Sequence, residues 1–498
     1  MPINIFYINI YPLLTEIFLF FTVCFCLIFG AITSSSVIFQ FPLVSKTISF
    51  FTWQALFFSL ILLINTSPIF AIFFSGFLIC DSFTFYAKFL ILFFSIIWFF
   101  IFNQSLKILN FEFWTLILLS ILAILLLLQS YDLLAIYVNI EFVSLTFYVL
   151  ASLNRNSEFS VEAGLKYFIL GAFSSSLLLF GFSLLYSFTG LTNLQDLLIF
   201  FSGYHFIAKD AFNTGLLTSL LFILTSFLFK LGAAPFHYWL PDVYEGSPTS
   251  ITAFFALLPK VAILSLITRF YVIIFLDFTY NEVYFFILCA TFMSSLIGTM
   301  GAFVQIKWKR FIAFSSISHI SFFLLNLCTL NLANLNNLII YVIIYLVMTS
   351  SFFSFFNSHK QILFPIKINN RFLSSLTFLN VLNPVLAFSF TILLFSLAGI
   401  PPLAGFFSKF FVLFSAISSN FFFLVFFILI FNCISCFYYI SLVKKIYFDN
   451  LTYIKLPIYK NVNKTNSLAL GFLLFFTLFN FLDFNFLFLL SNLICVSF

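Results

Sequence analysis

Apolar runs of about 20 residues, each enough to cross a bilayer, follow one another along almost the whole chain. Fourteen can be counted, near residues 14–32, 50–65, 82–102, 112–129, 132–152, 162–189, 212–240, 248–275, 282–304, 311–331, 335–357, 375–417, 421–443 and 468–493. The seventh and twelfth are too long for one crossing helix, which at 1.5 Å per residue overshoots a core about 30 Å thick. They are also the two with glycine and proline inside, at GAAP (Gly232 to Pro235) and AGIPPLAG (Ala398 to Gly405). Proline kinks many transmembrane helices, so either break alone says little. Their separation by five spans says more, because an odd offset makes the two broken helices run in opposite directions, as an inverted repeat requires. The pattern therefore predicts an all-α polytopic membrane protein of about fourteen transmembrane helices, with two inverted five-helix repeats and broken helices 7 and 12. The expected units are three N-terminal helices (1–110), a first repeat of helices 4 to 8 (111–275), a second of helices 9 to 13 (282–443), and a basic loop with helix 14 (444–498). The semi-apolar stretch NLQDLLIFFSGYHFIAK, between spans six and seven, is expected to lie along the interface.

Composition agrees with this. Hydrophobic residues are 63% of the chain and charged ones 7%, against roughly 25% charged in soluble domains. No polar block is long enough for a soluble domain, so the chemistry belongs in or at the bilayer. The net charge of +6 is spread over short loops rather than gathered into a face that would bind nucleic acid. Loops after odd-numbered spans hold Lys46, Lys107, Arg155, Lys307, Lys309, Arg310, Lys360, Lys367, Arg371, Lys444, Lys445, Lys455, Lys460 and Lys464, whereas the other side holds only Lys209. By the positive-inside rule both termini face away from the compartment of synthesis. No presequence or cleavable signal is expected, and 87 phenylalanines suggest a T-rich organellar gene. The eight cysteines sit in or beside apolar spans. The CxxC spacing of Cys433 and Cys436 stands alone, so they read as small core residues, with no metal or cluster site implied.

Six basic residues remain inside spans: Lys88, Lys166, Lys230, Lys260, Arg269 and Lys409. Lys88, Lys166 and Arg269 are within about two turns of a span end and are expected to snorkel. Lys260 is about 18 Å of helix from Pro248, too deep for that. Lys230 immediately precedes the first break, Lys409 follows the second by about two turns, and Glu141 lies about 14 Å into span five. His319 is mid-membrane in span ten and His237 sits just past the first break. Burial disfavours a charged lysine while a nearby carboxylate favours it, so a glutamate and lysine pair whose separation changes can load and release a proton. Lysines with a histidine between them form a relay. A static ion pair of Glu141 with one lysine would explain two charges, but neither the other lysines nor the two breaks.

Several segments carry a family resemblance: IEFVSLTFYVLASLNRNSEFSVEAGLKYFILGAFSS, FLFKLGAAPFHYWLPDVYEGSPTSITAFFALLPKVAI, KRFIAFSSISHISF, AGIPPLAGFFSKFFVLFSAI and CFYYISLVKKIYF. They resemble the subunit 2 family of mitochondrial NADH:ubiquinone oxidoreductase (respiratory complex I), over roughly residues 130 to 450. The resemblance implies an antiporter-like membrane-arm subunit, with NADH, FMN, iron–sulfur clusters and ubiquinone handled by other subunits and no cofactor bound here. By motif position Glu141 and Lys230 resemble the family's glutamate and lysine pair, Lys260 its central lysine, and Lys409 the lysine of the broken twelfth helix. His319, His237 and Lys166 resemble further members of the proton relay, Lys166 facing the hydrophilic axis. Asp132 and Asp242 are expected to anchor helix ends or loops.

The implied partners are the other membrane-arm subunits, antiporter-like neighbours among them, and membrane lipids, with no nucleic acid. The implied site of action is the mitochondrial inner membrane, with both termini on the intermembrane-space side and the basic loops in the matrix. Two other readings stand beside this one. A stand-alone cation/proton antiporter would transport by itself, and a structural spacer in the membrane arm would keep a buried polar axis without using it.

Overall fold

The computed structural model describes residues 10–33, 45–68, 70–102, 111–203, 211–272, 282–329, 332–359, 361–362, 367–368, 371–377, 379–449, 458–459 and 462–495. Lys107, Lys209, Lys360, Lys455 and Lys460 of the loop count lie outside these.

Three helices come first: α1 (Leu14–Thr33), α2 (Ser45–Asn65) and α3 (Ser82–Phe102), with a hairpin of β1 (Ala71–Phe73) and β2 (Leu78–Cys80) before α3. The first repeat holds α4 (Phe111–Gln129), α5 (Leu133–Ala151), α6 (Glu158–Thr189), a short α7 (Leu194–Gly203), the broken pair α8 (Ala211–Leu231) and α9 (Trp239–Gly246), and α10 (Thr249–Phe270). The second holds α11 (Glu282–Val304), α12 (Trp308–Cys328), α13 (Leu332–Ser358) and, after β3 (Gln361–Ile362), β4 (Lys367–Ile368) and the one-turn α14 (Leu379–Leu382), the broken pair α15 (Pro384–Ala398) and α16 (Ala404–Ser418), then α17 (Phe422–Tyr447). The chain closes with β5 (Ile458–Tyr459), which joins β3 and β4 in a small sheet, then α18 (Lys464–Phe479) and α19 (Asn485–Cys495). Among the described residues, thirteen helices are long and apolar enough to cross a membrane. The broken pair α15 and α16 makes the fourteenth traverse.

The two breaks are the same piece of backbone chemistry. At the end of α8 the Gly232 N–H donates to Phe229 O and the Ala233 N–H to Leu228 O. At the end of α15 the Gly399 N–H donates to Ser396 O and the Ile400 N–H to Phe395 O. Both are Schellman closures, which need a left-handed residue that glycine adopts without steric cost. Gly232 has φ +76° and Gly399 φ +85°. Beyond the second break α16 presses on α15 so closely that a Cβ on Gly405 would stand 1.8 Å from Ser396 O.

Burial sorts the helices by role. α13 is wholly enclosed, and α10 and α12 nearly so. They form the spine between the repeats and carry Lys260 and His319. α7 buries Leu194, Leu197 and Phe201 while Leu198 and Ile199 face outward; residues 204–209 of the expected interfacial stretch lie outside the described ones. Two span expectations are corrected. Helix 14 is not continuous, because the polar insertion of Asn480, Asp483 and Asn485 ends α18 and a separate α19 packs back on α13, where Asn336 donates to Asn492 at 2.7 Å. α6 runs unbroken for 32 residues, starting four residues before the expected span, and is longer than the hydrocarbon core needs. Among the cysteines, Cys26, Cys80 and Cys328 are buried, but Cys289 and Cys433 face outward and are not core residues.

Candidate functional site

Lys230 ends α8 and Lys260 sits mid-way along α10, directly after Pro259. Proline has no N–H to give the preceding turn, so the carbonyl of Phe255, four residues before it in α10, lacks its helical donor. The two lysines line one cavity of about 40 Å³, together with Ser144 of α5, Tyr167 of α6, and Trp239 and Tyr244 of α9. A cavity needs some 10–15 Å³ to hold one water, so this one has room for about two or three. Trp239 donates its indole N–H to Phe229 O at 2.8 Å, which pins α9 over the open end of α8. Lys260 is 4% exposed, and its Nζ donates to Tyr345 Oη at 2.8 Å.

In the second repeat, Lys409 of α16 reaches back across the break. A Schellman closure leaves the last two helical carbonyls without donors, and at α15 these belong to Leu397 and Ala398. Lys409 Nζ donates to both, at 2.8 and 3.1 Å, and to Asn432 Oδ1 of α17 at 2.7 Å. All three N–H groups of an ammonium are thereby matched, at the end of a half-helix where the macrodipole favours a cation. Lys230 occupies the corresponding helix end in the first repeat. The lysines differ in sequence position relative to their breaks, one before and one after, yet both lie at the carbonyl end of the first half-helix. Lys409 shares a second cavity, about 10 Å³, with His319, Ser295, Thr299, Asn432 and Tyr438. That is the volume of about one water.

The expected pairing of Glu141 with Lys230 is not a contact here. Among the described residues no carboxylate lies within ion-pair distance of Lys230. Glu141 is half-buried and accepts from Ser144 Oγ at 3.0 Å. It lies on the outward stripe of α5 with Leu134, Val138, Leu145 and Val149, residues that share one helix face by their spacing.

Two other expected relay members also stand off the axis. Lys166 is 43% exposed on its side chain and bridges Glu162 at 2.7 Å and Asp242 at 2.9 Å, so it is a residue of the bundle end and not of the buried axis. Its position near the start of α6 leaves the long side chain free to reach the polar face of α9. His237 is buried in the first break, stacked on Tyr238 and edge-on to Phe314, and lines neither cavity.

Lys88 and Arg269 do not snorkel. Lys88 Nζ meets Glu16 Oε1 at 2.6 Å and Arg269 Nη2 meets Asp81 Oδ2 at 2.9 Å, all four groups buried. Each cation turns inward because a carboxylate from a distant part of the chain is packed against it, and a buried charge is retained only when so paired. Asp132 caps α5 through Leu134 N and also accepts from Thr192 Oγ1, anchoring a helix end as expected.

At the basic-loop end α9 presents Asp242 and Glu245. Glu245 takes Lys307 at 2.5 Å, Arg371 at 2.6 Å and also Arg310, while Asp242 takes Arg310 at 3.0 Å and Lys166. Burial alone would raise the Glu245 carboxyl, but the hydrogen bonds from Lys307 and Arg371 and the charge of Arg310 outweigh it and hold the group at about 2. α9 is thus tied on its polar face to the second repeat, while its apolar face roofs the Lys230 and Lys260 cavity.

A family model described as NADH:quinone oxidoreductase/Mrp antiporter, TM, matches residues 130–435. The NADH-ubiquinone oxidoreductase chain 2 of Marchantia polymorpha is 38% identical over 486 residues, 96% of this chain and 97% of its own length. The chain belongs to this family. The NADH-quinone oxidoreductase subunit N of Pelagibacter ubique is 40% identical over 69% of this chain and 70% of its own. Two solved assemblies contain chains of the same fold: respiratory complex I from Thermus thermophilus, with TM-score 0.77 and 24% identity over 95% of this chain and 98% of that one, and the Mrp complex from Dietzia, with TM-score 0.82 and 19% identity over 98% and 97%. The family's antiporter-like architecture is thus the one drawn from the two broken spans, and proton translocation accords with its description.

Sequence reasoning found the lysines and missed most of what they touch. Tyr345, Tyr341 and Asn432 stand in runs that read as uniformly apolar. The available signal was the one-turn spacing of the two tyrosines in YVIIYLVM and a lone asparagine in FNCISC.

Proposed function

We propose that this chain is a proton-translocating, non-redox subunit of NADH:ubiquinone oxidoreductase in the mitochondrial inner membrane. The observation that carries the reading is the pair of water-sized cavities buried between broken helices, one holding Lys230 and Lys260 and the other His319 and Lys409. Lys230 exchanges protons with Lys260 through the first cavity, and Lys260 passes them by way of His319 to Lys409. Glu141, on the outward stripe of α5, sets the charge seen by Lys230 when the two approach.

A mid-membrane carboxylate on an outer face is costly against lipid, which supports a neighbouring membrane-arm subunit covering it. The proposal gives this chain no redox cofactor: NADH oxidation and quinone reduction are placed on other subunits. The basic loops face the matrix and both termini the intermembrane space.

Co-purification tests this reading against a free-standing antiporter. An affinity-tagged chain extracted in mild detergent is expected to carry NADH:ubiquinone reductase activity with it. Isolation of the chain alone, with cation/proton exchange in vesicles, would contradict the proposal.

A further inference from the structure

The two cavities share no lining residue. Side chains from α13 stand between them. Tyr345 accepts from Lys260 Nζ at 2.8 Å, and its ring packs 5.4 Å from that of His319. One turn earlier, Tyr341 Oη lies 2.9 Å from His319 Nδ1. Phe323 meets both tyrosine rings edge-on, at 5.2 and 5.5 Å, which fixes their planes. His319 Nε2 is buried and has no hydrogen-bond partner, an unusual condition for a buried polar atom.

Resting on the relay reading above, we infer that Tyr345 is a proton-carrying residue linking Lys260 to His319, and that Tyr341 is a positioning residue that sets the imidazole to receive the proton. A phenol hydroxyl both donates and accepts. The Lys260 ammonium gives one N–H proton to Tyr345 Oη as the hydroxyl's own proton leaves for His319, directly after rotation about the C–O bond or through one water. One N–H and one O–H bond break, and one O–H and one N–H bond form. Lysine becomes a neutral amine, histidine becomes imidazolium, and tyrosine is unchanged. Tyr341 accepting from Nδ1–H leaves the Nε2 lone pair as the receiving atom, since the partner of one ring nitrogen decides the state of the other. A backbone carbonyl at either position could not do this, having no proton to pass on.

The test is coupled proton translocation by the assembled complex in sealed membranes, normalised to assembled complex on native gels. Tyr345→Phe keeps the ring and its packing but removes the hydroxyl, and is expected to slow translocation about a hundredfold or more, the scale of losing one proton-transfer group. Tyr345→His restores a donor and acceptor and is expected to recover most of the loss. Tyr341→Phe is expected to shift the pH profile of translocation. Wild-type translocation by Tyr345→Phe, with Lys260→Ala inactive, would overturn the tyrosine's role and leave the relay standing. Equal impairment of the Phe and His variants per assembled complex would also overturn it, as the mark of a packing role. Normal translocation by Lys260→Ala would overturn the relay itself. If Tyr345→Phe does not assemble, the His variant decides: recovery near wild type supports the role, and a defect matching Lys260→Ala rejects it.

Discussion

Lys409 hydrogen-bonds Leu397 O at 2.8 Å, across the break that separates their half-helices. The side chain thus does for the second break what backbone donors do inside an unbroken helix, and it leaves an ammonium poised beside a cavity rather than in lipid. Gly399 stands under this arrangement at φ +85°, where a Cβ would meet Lys409 Cδ at 3.0 Å. Gly399→Ala is therefore expected to destabilise the chain by about 1–2 kcal/mol, the cost of a left-handed non-glycine residue, and to slow translocation by displacing Lys409. Thermal melting of the detergent-solubilised complex reads the first effect and acidification of sealed vesicles the second.

The Lys88 and Glu16 pair is a static tie between α3 and α1. Lys88→Met alone leaves a buried carboxylate unpaired and is expected to cost about 3–5 kcal/mol, whereas Lys88→Met with Glu16→Leu is expected to come close to wild type. Neither change is expected to alter protons moved per electron in whatever complex assembles. A double-mutant cycle on complex stability, with the stoichiometry measured beside it, checks both statements.

Glu245 ties the roof of the first cavity to the second repeat. A carboxyl held at about 2, against an ordinary value near 4.3, contributes stability that is fully present above the ordinary value and is lost as pH falls through the lowered one. The tie is expected to persist from about pH 5 to pH 7, so the effect of Glu245→Gln should be independent of pH over that range. The expected loss is about 1–3 kcal/mol, as for leaving charged partners unmatched, with faster hydrogen exchange in α9. Melting curves at several pH values test this, and a defect confined to acid pH would contradict it.

How much of this was legible in the sequence follows from how local each signal is. The two breaks were legible because glycine and proline act on their own turn of backbone, and the depth of Lys260 followed from counting residues along one helix. Partnerships were not. Glu16 and Lys88, or Asp81 and Arg269, are brought together by packing between distant spans, so the cations read as snorkelling when they are paired inside. Lys166 was drawn to the axis by its motif, but its place near the end of α6 sends it to Asp242. Tyr345 was hidden for another reason: a tyrosine in an apolar run looks like core until the ammonium against its hydroxyl is seen.

The central claim is that protons cross through the buried lysines, and the most direct measurement is the number translocated per electron by the assembled complex carrying Lys260→Ala in sealed vesicles. The account predicts a ratio well below wild type, or coupled turnover reduced by about a hundredfold or more, with quinone reductase activity retained in uncoupled membranes. An unchanged ratio at an unchanged rate would contradict it.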